Sequence, residues 1–329
     1  MSTARIMDQF QTHPATSDNN PTPAAAAEPA SSFSAEKPKE NSMTLAELGR
    51  SVSYTIPYAE LKRGDKIGSG HSAAVYNGTW RGITVAIKEL SDKAYLKEFC
   101  DEANMLKKIQ ALSIPSVVQY AGFSENQGYS YSLVMEYLPL QDAFTWIEKN
   151  AGDITKDMPS RCIILKNTIA AIQHLHQHNI LHRDLKWENL MLDTDYKIKL
   201  IDFGFALQLE GETATYVSSE ITGTPSYMAP ESINHCHYSK ASDIFSFGSM
   251  LYTMLEQAVP FSYPGWSDAR IKSHIAKGQM SPIAKTPPAF AALIKQCWNM
   301  DPSKRPTAEA VYEAIDAISQ PRPTPSMNA

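Results

Sequence analysis

No apolar run in this 329-residue chain approaches the roughly 20 residues that a bilayer-spanning helix requires. The N-terminal stretch also lacks the basic-then-apolar layout of a secretory signal, so the sequence gives no reason to expect export by that route. Positive charge is not in excess: 30 Lys and Arg stand against 35 Asp and Glu, for a formal net charge of -5. With a pI near 6.0, the chain offers neither nucleic acid nor an anionic membrane surface an electrostatic footing. Cysteine is scarce. Cys100, Cys162, Cys236 and Cys297 lie far apart with no Cys-x-x-Cys pair, and they are expected as reduced thiols of a cytoplasmic protein. His174 and His178 have the i, i+4 spacing of metal ligands, but no third ligand accompanies them, and a partly exposed helix end is expected. Internal repeats are absent. What is present is an ordinary globular composition, 43% hydrophobic and 20% charged, in a chain long enough for two folded units or one large two-lobed one.

The chain's organisation is centred on Ile180 to Gly204, ILHRDLKWENLMLDTDYKIKLIDFG. Ile180–Leu181 reads as a strand entering a polar loop that carries His182, Arg183, Asp184, Lys186 and Asn189. Leu190–Leu192 and Lys197–Ile201 read as two more strands joined by a turn at Asp193–Tyr196. A hairpin of that length returns Asp202 to the edge that holds Asn189, so that two oxygen ligands face one spot, as a hard cation such as Mg2+ requires. Asp184 and Lys186, two apart, suit a substrate hydroxyl and a phosphate. The pattern suggests metal-assisted phosphoryl transfer.

His182-Arg183-Asp184-Leu185-Lys186-Trp187-Glu188-Asn189 followed by Asp202-Phe203-Gly204 resembles the protein kinase family's H-R-D-L-x-x-x-N and D-F-G. The resemblance runs in order from Tyr58 to Ile318, and its pattern is nearest to tyrosine-kinase-like serine/threonine kinases. It implies an α+β, bilobal protein kinase fold. A small antiparallel sheet with one main helix would occupy residues 58–137, and a larger helical lobe residues 138–318. Residues 1–57, rich in Ala, Pro, Ser, Thr and Asn, and the final stretch 319–329 are expected as disordered tails.

In the small lobe, Leu61–Ile67 and Ser72–Trp80 read as strands flanking Gly68-Ser69-Gly70, with Ile83–Leu90 a third. The resemblance makes this a nucleotide-covering loop, with Ile67, Gly68, Ser69, Gly70 and Val75 as ligand contacts and Ala73 in place of the third glycine. Val85-Ala86-Ile87-Lys88 matches V-A-I-K, so Lys88 is the expected partner of the α- and β-phosphates and Ala86 lies beside the nucleotide. Ser91 to Ile109 reads as a helix with an apolar face. Of Glu98 and Glu102, Glu102 is the expected partner of Lys88, because Phe99-x-x-Glu102-x-x-x-Leu106 resembles the family's run. Val117–Phe123 and Tyr129–Glu136 read as two further strands. By the same resemblance Met135 is the gatekeeper, Glu136 and Leu138 offer backbone groups to adenine, Asp142 meets the ribose and Met191 completes the nucleotide contacts.

The implied chemistry is transfer of the γ-phosphate of ATP to protein hydroxyls with Mg2+. Asp184 would orient the hydroxyl and accept its proton, Lys186 would neutralise the γ-phosphate, and Asn189 and Asp202 would hold the metal. His182 and Phe203 are implied to stack with Leu106 and to be anchored on Asp243, and Glu231 and Arg305 to form a buried ion pair. Asp-Leu-Lys-x-Glu-Asn and Gly223-Thr224-x-x-Tyr227-Met228-Ala229-Pro230-Glu231 are the serine/threonine pattern, whereas the Cys297-Trp298 signature is shared with tyrosine kinases. Tyrosine or dual specificity and a catalytically weak pseudokinase scaffold are the alternatives. An upstream kinase or autophosphorylation would act on Thr213, Thr215, Tyr216, Ser218, Ser219 or Thr222, with Arg183 pairing the phosphate, although Leu207 stands where relatives often supply a second basic residue.

Overall fold

The computed structural model describes residues 55–320 apart from 71, 127–129, 141, 151–157, 196 and 212–214. The tails expected at the two ends lie outside the described residues, except at their inner edges. There Thr55 bridges Phe123, and Ile56, 1% exposed, donates its N–H to the Phe123 carbonyl at 2.8 Å. At the other end Ser319 still belongs to the last helix.

Alternating apolar residues build a five-stranded antiparallel sheet, with β1 (Leu61–Ser69), β2 (Ala73–Trp80), β3 (Ile83–Leu90), β4 (Tyr120–Asn126) and β5 (Ser130–Glu136) in the order β1-β2-β3-β5-β4. β1 runs on through Gly68 and Ser69, which pair with Val75 and Ala74, so the hairpin loop is shorter than the sequence suggested. The helix expected from Ser91 starts later. Asp92 accepts the Ala94 N–H at 2.9 Å and caps a single 3-10 turn, after which α1 spans Leu96–Ala111. The strand expected from Val117 begins at Tyr120, because the backbone of residues 116–118 pairs elsewhere. Val118 N–H bonds to the Leu200 carbonyl at 2.9 Å, and Leu200 N–H to the Ser116 carbonyl at 2.8 Å.

The two faces of the sheet bury different things. One covers a small cluster of Ile56, Trp80, Val85, Ile87, Ala121 and Val134. The other packs on α1, whose Phe99, Ala103, Leu106 and Ile109 join the main core that continues into the larger lobe. That lobe is mostly helical: α2 (Ala143–Asn150), α3 (Met158–Gln177), α4 (Pro230–His235), α5 (Lys240–Glu256), α6 (Asp268–Ala276), α7 (Pro288–Cys297) and α8 (Ala308–Ser319). Short strands sit between α3 and α5: β6 (Ile180–Leu181), β7 (Leu190–Leu192), β8 (Ile198–Leu200), β9 (Leu207–Gln208), β10 (Tyr216–Val217) and β11 (His237–Tyr238). β7 pairs with β8 as the expected hairpin, while β6 pairs with β9.

Helix α5 is the centre of the lobe, with every residue from Ser242 to Glu256 buried. Such a helix needs partners all round. Gly248 lets α7 come close, since a Cβ there would lie 2.6 Å from the Cβ of Cys297. Glu231, in α4, accepts a two-pronged bond from Arg305 at 2.6 and 2.7 Å, which ties the segment before α5 to the chain between α7 and α8. Among the described residues no helix is long and apolar enough to cross a membrane.

Candidate active site

Strand β3 presents Ala86 and Lys88 on one face, because residues two apart share a face. The register places Val75 and Leu133 opposite Lys88, and Met135 opposite Ala86. Val75, Ala86, Lys88 and Met135 therefore line one surface of the sheet. Ile67, 47% exposed, stands at the irregular end of β1 near Gly68 and Ser69. Gly70 closes the hairpin, donating its N–H to the Ala73 carbonyl at 2.8 Å.

From β3, Lys88 Nζ reaches both oxygens of Glu102, at 2.7 and 2.8 Å, and Asp202 Oδ1 at 3.0 Å. Glu102 is buried on α1 at 4% exposure, whereas Asp202 is half-exposed at 46%. Three elements far apart in sequence thus meet at one ammonium. Burial works against the Lys88 charge, but the two carboxylates outweigh it and hold the lysine protonated well above its ordinary range. Asp202 is also partly desolvated, yet Lys88 keeps its carboxyl below the usual value. The backbone of Asp202 is left-handed, with φ of 61°, an uncommon state for a residue with a side chain.

A second cluster gathers on Asp184. Its Oδ1 accepts the Thr224 N–H at 2.9 Å and the Thr224 hydroxyl at 2.7 Å. Its Oδ2 lies 2.9 Å from Lys186 Nζ and accepts from Asn189 Nδ2 at 3.2 Å. Lys186 also donates to the Thr224 hydroxyl at 2.9 Å, and Asn189 Nδ2 to the Asp184 carbonyl at 2.8 Å. Below them, buried Asp243 accepts the N–H groups of His182 and Arg183, each at 3.1 Å, and pairs with His176 at 3.0 Å. This clamp supports Arg183 in a left-handed conformation, φ 68°. His182 donates from its ring to the Ile201 carbonyl at 3.2 Å and lies 5.0 Å from the Phe203 ring, in the core that includes Leu106.

Backbone pairing joins the two clusters: Ile201 N–H bonds to the Asn189 carbonyl at 3.0 Å, next to Asp202. Gly204 lies close to both acids, since a Cβ there would be 3.5 Å from Asp202 Oδ1 and 3.7 Å from Glu102 Oε2. The donor set fits a hard cation. The Asn189 amide nitrogen is engaged by Asp184, which leaves its oxygen as the atom to present alongside the Asp202 carboxylate.

On the cleft's lower edge, Met191 is half-buried between fully buried Leu190 and Leu192 and forms a bridge with Asp142. Asp142 also caps α2 by accepting the Thr145 N–H at 2.8 Å, so one of its oxygens is occupied. The Glu136 N–H bonds to the Gln119 carbonyl at 2.9 Å. Leu138 is half-buried against the core. Sequence reasoning missed the role of the Glu136 side chain, which accepts Lys199 at 3.0 Å and the Gln119 N–H at 2.7 Å. The signal was there: Lys199 falls inside a short apolar strand, and a buried lysine demands a partner. It also missed Tyr238, which no local pattern marks.

The match to known proteins follows this geometry. Residues 61–314 fit the family model described as protein kinase domain, and the chain belongs to that family. It is 32% identical over 301 residues to "Serine/threonine-protein kinase STY46" of Arabidopsis thaliana, covering 88% of this chain and 50% of that one. It is 29% identical over 274 residues to "Probable serine/threonine-protein kinase drkC" of Dictyostelium discoideum, covering 80% and 35%. With drkA of the same organism the identity is 30%, covering 86% and 43%. The chain thus matches about a third to a half of the length of these relatives.

Proposed function

We propose that this protein transfers the γ-phosphate of ATP to serine or threonine hydroxyls of protein substrates, with Mg2+. The observation that carries the reading is one connected path. Lys88 meets Asp202 at 3.0 Å, the residue before Asp202 is bonded to Asn189, and Asn189 contacts Asp184. Phosphate-binding charge, metal-ligating oxygens and a carboxylate base then border one cleft. Transfer of a phosphoryl group needs held geometry and neutralised charge more than covalent help. Mg2+, when bound through Asn189 and Asp202, would offset the negative charge of the phosphate oxygens.

The chain's own residues do the rest. Lys88, kept charged by Glu102, grips the α- and β-phosphates. Asp184 orients the substrate hydroxyl and takes its proton as the new O–P bond forms and the bond to ADP breaks. Lys186 faces the γ-phosphate. Val75, Ala86, Met135 and Met191 sandwich the base beneath Ile67 and the turn at Gly68, Ser69 and Gly70. Since the Glu136 N–H is engaged by Gln119, adenine would be read by the Glu136 carbonyl and by Leu138, with the remaining oxygen of Asp142 turned to the ribose. Serine/threonine specificity is supported by Lys186, which joins Asp184 to Thr224, and by the names of the relatives. The small lobe is taken as 58–137 and the larger as 138–318. Four free cysteines suit the reducing cytoplasm.

The test is purified full chain with Mg-ATP and mixed Ser-, Thr- and Tyr-containing peptides, with Asp184→Asn as control. Phosphate on Ser or Thr, abolished by the substitution, is the expected result. Transfer to Tyr alone, or no transfer, overturns the assignment.

A further inference from the structure

The segment that brings Thr224 to Asp184 is held from behind by a side chain outside the cleft. Tyr238, in β11 and 2% exposed, uses its phenol oxygen three times on one residue. It accepts the Thr222 N–H at 2.8 Å and the Thr222 hydroxyl at 3.2 Å, and it donates to the Thr222 carbonyl at 3.0 Å. A hydroxyl has one donor and two acceptor sites, so Thr222 satisfies all of them. Pairing of Tyr216 with Tyr238 and packing against Leu181 and Leu209 fix the ring itself. Arg183 lies over the Tyr238 ring, 4.2 Å from its centroid, and Nη2 donates to the Thr222 hydroxyl.

From Thr222 the path to the proposed base is two residues long. Gly223 turns with φ 115°, and a Cβ there would be 2.9 Å from the Arg183 carbonyl, so only glycine passes without strain. Thr224 follows and donates twice to Asp184. The arginine next to Asp184 is already engaged by an aromatic face and a hydroxyl, where a phosphorylated segment would offer it a phosphate.

We propose that Tyr238 is a positioning residue for the transfer reaction, and that its hydroxyl holds the Thr222–Thr224 segment against Asp184 without phosphorylation of that segment. The inference rests on the kinase reading above. It adds that the unmodified chain is already set for catalysis.

The experiment compares wild type, treated with a broad protein phosphatase and verified as unphosphorylated by intact mass, with Tyr238→Phe, which keeps the ring over Arg183. The dephosphorylated wild type is expected to keep kcat within about twofold. In Tyr238→Phe, loss of all three bonds to Thr222 is expected to lower peptide kcat at least tenfold. Affinity for a non-hydrolysable ATP analogue should stay within about twofold, whereas a general loss of folding would weaken both. Amide exchange at Thr222 and Thr224 should be protected in unphosphorylated wild type and about tenfold faster in the variant. Wild-type kcat in Tyr238→Phe, unprotected amides in the wild type, or activity that appears only after segment phosphorylation overturns the proposal. If no form transfers phosphate at all, the kinase reading fails, and with it the catalytic role given to Tyr238. The exchange data then still decide whether its hydroxyl holds the segment.

Discussion

Lys88, Glu102 and Asp202 come from a strand, a helix and a loop, and they meet through ion pairs of 2.7 to 3.0 Å with one acid half-exposed. Asp184, Asn189 and Thr224 come from one lobe and meet largely through directed hydrogen bonds, braced by buried Asp243. The difference is physical. Coulombic attraction falls off gradually with separation and has no preferred angle, whereas hydrogen bonds weaken steeply once bent. The charge-built half converges on the single ammonium of Lys88, whereas the hydrogen-bonded half shares several directed donors on Asp184.

Substitutions can break or sharpen that contrast. The largest effect is expected from Asp184→Asn, which should cut kcat by roughly 100- to 10,000-fold, measured by peptide phosphorylation, while ATP affinity stays near wild type. Next comes Arg305→Leu, which strips the partner from Glu231 at the far end of the Thr224 segment. Breaking a buried pair by removing one member costs about 3–5 kcal/mol, which denaturant unfolding would read directly. Glu102→Gln removes charge but not shape in the other half. A fall of about 10- to 100-fold in kcat/KM for ATP, or 1.4–2.8 kcal/mol, is expected, with a flat peptide KM.

The smallest effect lies outside both halves. Glu256 is desolvated by burial, yet bonds from the Thr286 hydroxyl and the N–H groups of Ala284, Lys285 and Thr286 hold its carboxyl below the ordinary value. A depressed folded pKa contributes stability above the unfolded value that is lost as pH falls through the folded one. Thermal melts of Glu256→Gln should therefore trail wild type at neutral pH, and the gap should begin to narrow below about pH 4, near the unfolded value of an acid, and close once pH falls below the depressed folded value. Activity per folded molecule should not change.

Much of this was legible in the chain because local pattern and final position coincide. Alternation in Val85-Ala86-Ile87-Lys88 fixes which way Lys88 points, and the apolar spacing of Phe99, Ala103 and Leu106 fixes the buried face beside which Glu102 emerges. Where distant partners compete for backbone groups, pattern fails. Val117 reads as strand, but residues 116–118 bond to Leu200, and β4 waits until Tyr120. Asp92 could have marked the true approach to α1, since an acidic cap before a helix is a local signal. Tyr238 and the Lys199–Glu136 pair depend on contacts 16 and more residues away, which no window of sequence contains.

Leu200, two positions before Asp202, is bonded to Ser116 and to Val118, on either side of Val117. The run entering β4 and β8, the strand that leads to Asp202, are thereby riveted together, independently of the covalent link after β5. Asp202 therefore follows directly from a strand tied by its backbone to the run before β4, whereas Lys88 reaches it from β3 through side-chain contact alone.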